Sequence, residues 1–274
     1  MRLSLVVTTY ERPDALAAVL ATVSAQRRVP DEIIVADDGS GAATRAAIDI
    51  FAARSRVPVA QVRQEHAGFR VARLRNLAIA ASRGEYVVFI DGDMWLHPDF
   101  LADHAAAAKR GTFVQGMRIP LDAEATRAAL AMPPGRVGGG LPGARGLRRL
   151  YAARIPALAR ASLRAAGGFV ATKSCNLAVW RDDLVAVNGF NEAFVGWGPE
   201  DKELVARLAH LGRRRRTLVF GGLAWHLHHP PVARDRRAVN EAILRETLAS
   251  RAIRCEHGLN AHLDAHLTQP TIWL

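Results

Sequence analysis

Short apolar runs alternate with amphipathic stretches through the first hundred residues. Leu3–Thr8 is almost wholly apolar and predicts a strand. Pro13–Ser24 sets Leu16, Val19, Leu20 and Val23 on one face at helical spacing, and Pro13 suits a first helical position. Glu32–Ala36 predicts a second strand, running into the turn sequence Asp37-Asp38-Gly39-Ser40. Ala42–Ala53 predicts a helix, Val57–Val62 a third strand, and Leu74–Ser82 a helix ended by Arg83-Gly84. Tyr86–Ile90 is a continuous apolar run, as expected of a strand buried on both faces. The βαβαβ order implies a parallel, Rossmann-like sheet wrapped by helices, an α/β fold. Such sheets bind ligands at the carboxyl ends of their strands. Thr8-Thr9-Tyr10, Asp37-Asp38 and Asp91-Gly92-Asp93 stand at those ends.

The pattern changes after residue 116. Pro133-Pro134 and a glycine run at 138–140 predict a loop. Its GxGxxG spacing follows no strand and therefore carries little weight as a dinucleotide fingerprint. A basic amphipathic stretch, Arg145 to Arg164, reads either as a solvated helix face or as an interfacial helix on anionic lipid. Asn176–Trp180 predicts a strand, Pro199–Leu211 a helix closed by Gly212, and Leu218–Trp225 a strand leading to His226, His228 and His229. From Ala233 the tail reads as helical up to Gly258. The organisation expected is 1–116 for a ligand-binding half, 117–167 for a basic insertion, 168–231 for a second functional half and 232–274 for the tail.

Composition narrows the class. Of 274 residues, 50% are hydrophobic and 23% charged, which excludes global disorder. No apolar run approaches the roughly 18 residues that cross a bilayer. The N-terminal apolar run is short and reads as a first strand rather than a leader. Two cysteines, Cys175 and Cys255, cannot build a disulfide framework, consistent with a cytoplasmic setting. The formal charge of +11 favours phosphates or an anionic membrane surface. Nucleic acid is not expected, because no nucleic-acid-binding motif accompanies the charge.

The chemistry-bearing residues come in clusters. Asp91 and Asp93, two residues apart after a buried strand, are hard oxygen ligands suited to Mg²⁺ or Mn²⁺ bridging to a diphosphate. Alone they could be two solvated turn aspartates. Asp38 can accept from a base N–H or a ribose hydroxyl, or simply cap a turn. Arg70, Arg73 and Arg75 lie near the same edge, and some of them suit diphosphate oxygens. In Gly196-Trp197-Gly198-Pro199-Glu200-Asp201, acidic residues open a helix whose dipole stabilises them and would keep a basic Asp ionised. Trp197 offers a flat face for a sugar ring. One of His226, His228 and His229 could complete a metal site held by Asp93. Cys255, His257, His262 and His266 match no zinc spacing and read as a solvated helical tail.

Together these segments resemble the inverting family 2 glycosyltransferases of GT-A fold. More narrowly they resemble bacterial hyaluronan and chondroitin synthase catalytic domains, with a C-terminal half similar to β-1,4-galactosyltransferases and polypeptide N-acetylgalactosaminyltransferases. The resemblance covers about 1–116 and 168–231. It implies that Thr8, Tyr10 and Asp38 hold a uridine, and that Gly68, Phe69, Arg75 and Asn76 match a GY/F…RN segment. It implies that Asp91, Asp93 and Met94 match D-x-D-M, with Asp93 a direct Mn²⁺ or Mg²⁺ ligand. Trp197 and Glu200 would contact the acceptor, Asp201 would be the catalytic base, and His226 would be the histidine ligand. Pro199 departs from the family's W-G-G-E-D, and 117–167 has no counterpart. The implied activity is transfer from a nucleotide-sugar, a UDP-sugar, to a glycan or glycolipid acceptor in cell-surface polysaccharide or lipopolysaccharide synthesis. The setting implied is the cytoplasm, with contact at the inner membrane face. The rivals are a non-catalytic nucleotide-sugar-binding module and a nucleotidyltransferase. The latter lacks support, since no Gly-rich phosphate loop follows the first strand.

Overall fold

Parallel pairing aligns the first strand with its neighbours on both sides. The computed structural model describes residues 1–132, 152–163, 165–166, 172–230, 235–263 and 272–274. The chain runs β1 (Leu3–Thr9), α1 (Pro13–Ser24), β2 (Glu32–Asp37), α2 (Ala42–Ala52), β3 (Val59–Arg63), α3 (Val71–Ala81) and β4 (Tyr86–Asp91). It continues with β5 (Met94–Leu96), α4 (Phe100–Ala107), β6 (Thr112–Gly116), β7 (Arg118–Pro120) and α5 (Ala123–Leu130). Then come α6 (Pro156–Ser162), β8 (Ala165–Ala166), β9 (Asn176–Trp180), α7 (Arg181–Ala186), α8 (Glu200–His210), β10 (Arg214–Leu218) and β11 (Ala224–His226). Helices α9 (Arg237–Ser250) and α10 (Asn260–Leu263) and strand β12 (Ile272–Trp273) close it.

Among the described residues, nine strands form the main sheet in the order β12-β3-β2-β1-β4-β9-β6-β10-β8. Pairs β1–β2, β1–β4, β2–β3 and β6–β10 are parallel, whereas β9 runs antiparallel to both β4 and β6. The sheet is therefore mainly parallel, as expected. It also crosses from the first half of the chain into the second. Alternate residues feed two apolar layers. Leu3, Leu5 and Val7 pack with α1, α2 and α4 on one face, while Val6, Val87 and Phe89 pack with α3 and α8 on the other. This two-sided burial is why those strands read as unbroken apolar runs. The chain turns from β3 back past β1 to β4, so the switch in winding direction lies at the carboxyl ends of β1 and β4.

A second sheet, β5-β11-β7, sits beneath that point. It pairs Trp225 with Trp95 and His226 with Met94. Each of its strands is three residues long, too short for a periodic signal. The predicted strand Leu218–Trp225 is corrected: β10 ends at Leu218, β11 begins only at Ala224, and 219–223 between them is not strand. Phe220 (φ 59°) and Gly222 (φ 56°) are left-handed there and interrupt the ladder.

One buried histidine links this scaffold to pH. Asn176 Nδ2 donates to the carbonyls of Met117 and Gly222 at 2.8 and 3.0 Å, so its Oδ1 accepts from His104 Nε2 at 2.8 Å. His104 Nδ1 is buried without a partner, and burial lowers the imidazole pKa to about 4. The unfolded chain therefore binds a proton between roughly pH 6.5 and 4 that the folded chain refuses, and stability falls with pH across that window. We expect a loss of ~3 kcal/mol there, absent in His104→Gln, when denaturant midpoints are compared at pH 7 and pH 4. Equal pH slopes for the two proteins would remove His104 as the cause.

Candidate active site

The carboxyl ends of β1, β2 and β4 meet in register, with Thr8 opposite both Ala36 and Asp91. Beyond them opens a cleft of ≈ 940 Å³. Of the residues singled out in the sequence, Thr8, Tyr10, Asp38, Arg75, Asp91, Asp93, Trp197, Glu200, Asp201 and His226 line it. Residues more than 200 positions apart thus share one chamber.

The β2 side is a polar shelf. Asp38 accepts from Gln64 Nε2 through Oδ1 and lies 3.0 Å from His66 Nδ1 through Oδ2. Tyr10 stacks on His66 with centroids 4.2 Å apart. The turn needs Gly39 (φ 85°), where a Cβ would lie 2.7 Å from the His66 amide. Gln64 and His66 were missed in the sequence, which offers no periodic signal for loop residues.

The β4 end carries the acidic pair. Gly92 N donates to Thr8 carbonyl at 2.7 Å, and a Cβ on Gly92 would press to 3.0 Å against that oxygen. This close approach turns the chain between the two carboxylates. Asp91 Oδ1 accepts from Thr8 Oγ1 at 2.9 Å and from Arg75 Nη2 at 3.2 Å. Asp93 Oδ2 lies 3.6 Å from His226 Nε2 and 3.5 Å from His229 Nε2. Asp93, His226 and His229 offer ligand atoms within 4.8 Å of one another. The donor set fits a divalent cation in three further respects. Among the described residues, Asp93 Oδ1 is buried with no hydrogen-bond partner. His229 Nδ1 donates to the Pro230 carbonyl at 2.6 Å, which orients the ring with Nε2 toward Asp93. Burial, followed by the nearby Arg118 charge, lowers the His226 pKa to about 3 and keeps it neutral. Burial and the Asp91 charge push the Asp93 carboxyl up to about 6. His228 is not in the cluster; its backbone N–H donates to Thr126 Oγ1.

The opposite wall is the start of α8. Asp201 accepts from the backbone N–H of Lys202 at 2.7 Å and of Ser174 at 3.3 Å, and burial holds its carboxyl above the ordinary range. Glu200, buried beside it, is raised to about 7 by burial and then by Asp201's charge. Asn240 of α9, itself fully buried, donates to the Val195 and Trp197 carbonyls at 3.1 and 2.9 Å and fixes the loop carrying the half-buried Trp197. Arg75 joins the two walls, donating to Asp91 and to Glu200 Oε1 at 3.0 Å. Both its terminal nitrogens are taken by carboxylates, so its position is a bridge between walls rather than an open phosphate grip.

Two of the residues expected on the donor side stand elsewhere. Asn76 is buried behind the cleft, where Nδ2 donates to the Phe190 carbonyl and Glu192 and Oδ1 accepts from Phe190 N. It braces the loop before α8. Arg70 turns its guanidinium to the Glu65 carbonyl and is not among the lining residues. Arg73 donates to Gln64 Oε1 and so supports the shelf from behind. The tail cluster also disperses. Cys255 Sγ donates to the Asn188 carbonyl, His262 lies 2.6 Å from Glu192, and His266 lies outside the described residues. The glycine run and residues 145–151 and 164 of the basic stretch Arg145–Arg164 also lie outside them, while 156–162 form α6. Among the described residues, no helix is long and apolar enough to cross a membrane.

Comparison with known proteins bears on this arrangement. Residues 4–152 match the profile of glycosyl transferase family 2, and residues 161–229 match the N-terminal domain of galactosyltransferase. Validoxylamine A glucosyltransferase of Streptomyces hygroscopicus subsp. limoneus is 29% identical over 217 residues, covering 75% of this chain and 47% of that protein. Chondroitin synthase of Escherichia coli is 37% identical over 97 residues, 35% of this chain and 14% of that one. The chain therefore spans about half the length, or less, of these curated relatives. A mannosyltransferase from Pyrobaculum calidifontis, solved with GDP-Man and Mn²⁺, superposes with TM-score 0.62 at 19% identity, covering 97% of this chain and 70% of that one. Staphylococcus aureus TarS, solved with UDP-GlcNAc, gives 0.59 at 17% identity over 97% and 72%. With the family profile spanning more than half of its length and the GT-A architecture throughout, the chain belongs to glycosyl transferase family 2.

Proposed function

We infer that this chain is an inverting, metal-dependent glycosyltransferase. It moves a sugar from a nucleotide-sugar, a UDP-sugar, to a hydroxyl of a glycan or glycolipid in surface-polysaccharide or lipopolysaccharide synthesis. One observation carries the reading: a cation-fitting cluster and a half-buried, amide-held carboxylate face the same cleft from opposite walls. The solved neighbours that carry GDP-Man with Mn²⁺ and UDP-GlcNAc support a nucleotide-sugar donor.

In this reading the base docks at Tyr10 and Asp38, and Thr8 backs the acidic pair. A divalent ion at Asp93, His226 and His229 would neutralise charge developing on the departing diphosphate. Trp197 and Glu200 seat the acceptor. Asp201 takes the proton from the acceptor hydroxyl as its oxygen bonds to the anomeric carbon. The bond to the diphosphate oxygen breaks on the far face, with inversion and without an enzyme-bound sugar. Arg75 keeps the two walls in fixed separation.

Melting temperature in the presence of UDP-, GDP- and dTDP-sugars, each with and without Mn²⁺, tests the donor. Saturation near 100 times Kd adds about 2.7 kcal/mol of stability. The expected result is a clear rise with a UDP-sugar and Mn²⁺ together. A larger rise with GDP-sugars would overturn the uridine assignment. Slow release of free sugar from the donor separates an enzyme from a binding module.

A further inference from the structure

Glu11 is forced into a left-handed backbone (φ 45°) at the end of β1. Two contacts hold it: its N–H donates to Ser40 Oγ at 2.9 Å, and its Oε1 accepts from Gly41 N at 2.8 Å. A non-glycine residue in this region is costly unless its surroundings over-determine it, and such positions gather at functional sites. The turn delivers the next side chain, Arg12, back into the cleft. Arg12 Nη1 donates to Asp93 Oδ2 at 2.8 Å, and Nη2 donates to the His228 carbonyl at 3.3 Å. That carboxylate oxygen is the same one approached by His226 and His229. The guanidinium therefore pairs with the carboxylate that a cation in the cluster would need, on the oxygen that faces both imidazoles.

We propose that Arg12 is a displaceable internal counter-cation: it neutralises Asp93 while the cluster is empty of metal, yields Asp93 to a divalent cation, and then pairs with the diphosphate of the donor. The inference rests on the metal site assigned above. Arg12 and a divalent cation cannot share one carboxylate oxygen without mutual repulsion. Binding of metal alone is therefore opposed by the Arg12–Asp93 pair. A nucleoside diphosphate relieves the opposition, because it offers the released guanidinium an anion within the same cleft. The coupling is reciprocal: nucleotide tightens metal binding as much as metal tightens nucleotide binding. The arrangement keeps the cleft from holding metal idly when no donor is present.

The test is Mn²⁺ affinity, read from the free Mn²⁺ signal in electron paramagnetic resonance, with and without UDP. It uses the wild type, Arg12→Gln and Arg12→Lys. Without UDP, Arg12→Gln is expected to bind Mn²⁺ about ten-fold more tightly than wild type. The UDP-induced gain, large in wild type, should shrink by a similar factor in Arg12→Gln. Arg12→Lys, which keeps the charge, should stay near wild type and reports on folding independently of the glutamine variant. Equal Mn²⁺ affinity for wild type and Arg12→Gln without UDP overturns the role of Arg12 and leaves the metal site standing. Absence of Mn²⁺ binding in all three proteins overturns the metal site and this inference with it.

Discussion

Asp201→Asn is expected to reduce transfer by about 10²–10⁴-fold, the usual contribution of a positioned general base, while nucleotide affinity stays within a factor of a few. The amide is nearly isosteric with the carboxylate. Its oxygen can still accept from the Lys202 N–H, and only the longer contact from Ser174 is lost. The protein should therefore fold and bind donor, and the missing property is the capacity to take a proton. Calorimetry with UDP, alongside an assay of released UDP, separates the two effects. Undiminished turnover would remove Asp201 as the base. The wild-type pH profile carries a related signature. Burial raises the Asp201 carboxyl, with the Arg75 charge opposing, so the ionised base forms later on the acid side than an ordinary carboxylate. The rate should thus rise with pH through an apparent pKa above that of an ordinary carboxylate, and that limb should vanish in Asp201→Asn.

Stripping divalent ions with a chelator is expected to lower transfer by roughly 10²–10³-fold, the several kcal/mol that such an ion supplies to a developing phosphate charge. Mn²⁺ or Mg²⁺ should restore it. In Asp93→Ala restoration should fail at any metal concentration that leaves the protein soluble, because the carboxylate shared with His226 and His229 is gone. His229→Ala should demand more metal for the same rate. Transfer that proceeds at full speed in chelator would sink the role of the Asp93 cluster.

The legible parts of the chain were those with a one-dimensional signature. Strands β1 and β4 announced themselves as unbroken apolar runs because both faces of the sheet are covered. Helix α1 was read to the residue from its apolar stripe and Pro13. Asp91, Asp93, Asp201 and His226 were found from local motifs, and the fold then brought them to one cleft. Contacts made by shape were not legible. Arg12 directly precedes α1, and nothing near it in sequence names Asp93 as its partner. His228 and His229 both follow β11, and of the two His229 brings a ring nitrogen to Asp93. Asn76 lay in the right segment but faces Phe190, since α3 presents Arg75 and Asn76 to different neighbours. Strand β10 escaped notice because its Arg214–Leu218 sequence is rich in arginine. These positions are held by parallel pairing to β6 and by contacts such as Arg216 with the Ala107 carbonyl, not by an apolar face.

The reversed direction of β9 has an evolutionary consequence. Running against β4 and β6, it begins at the edge where β4 ends, so Thr172, Lys173 and Ser174 arrive at the cleft mouth. Arg118, at the start of β7, stands at that mouth too. The stretch between them, of which 121–132, 152–163 and 165–166 are described, is bounded at the cleft by Arg118 on one side and Thr172 on the other. On the proposed function, changes confined to this stretch would retune which alcohol is glycosylated while the residues around Asp38 and Asp93 pass down unaltered.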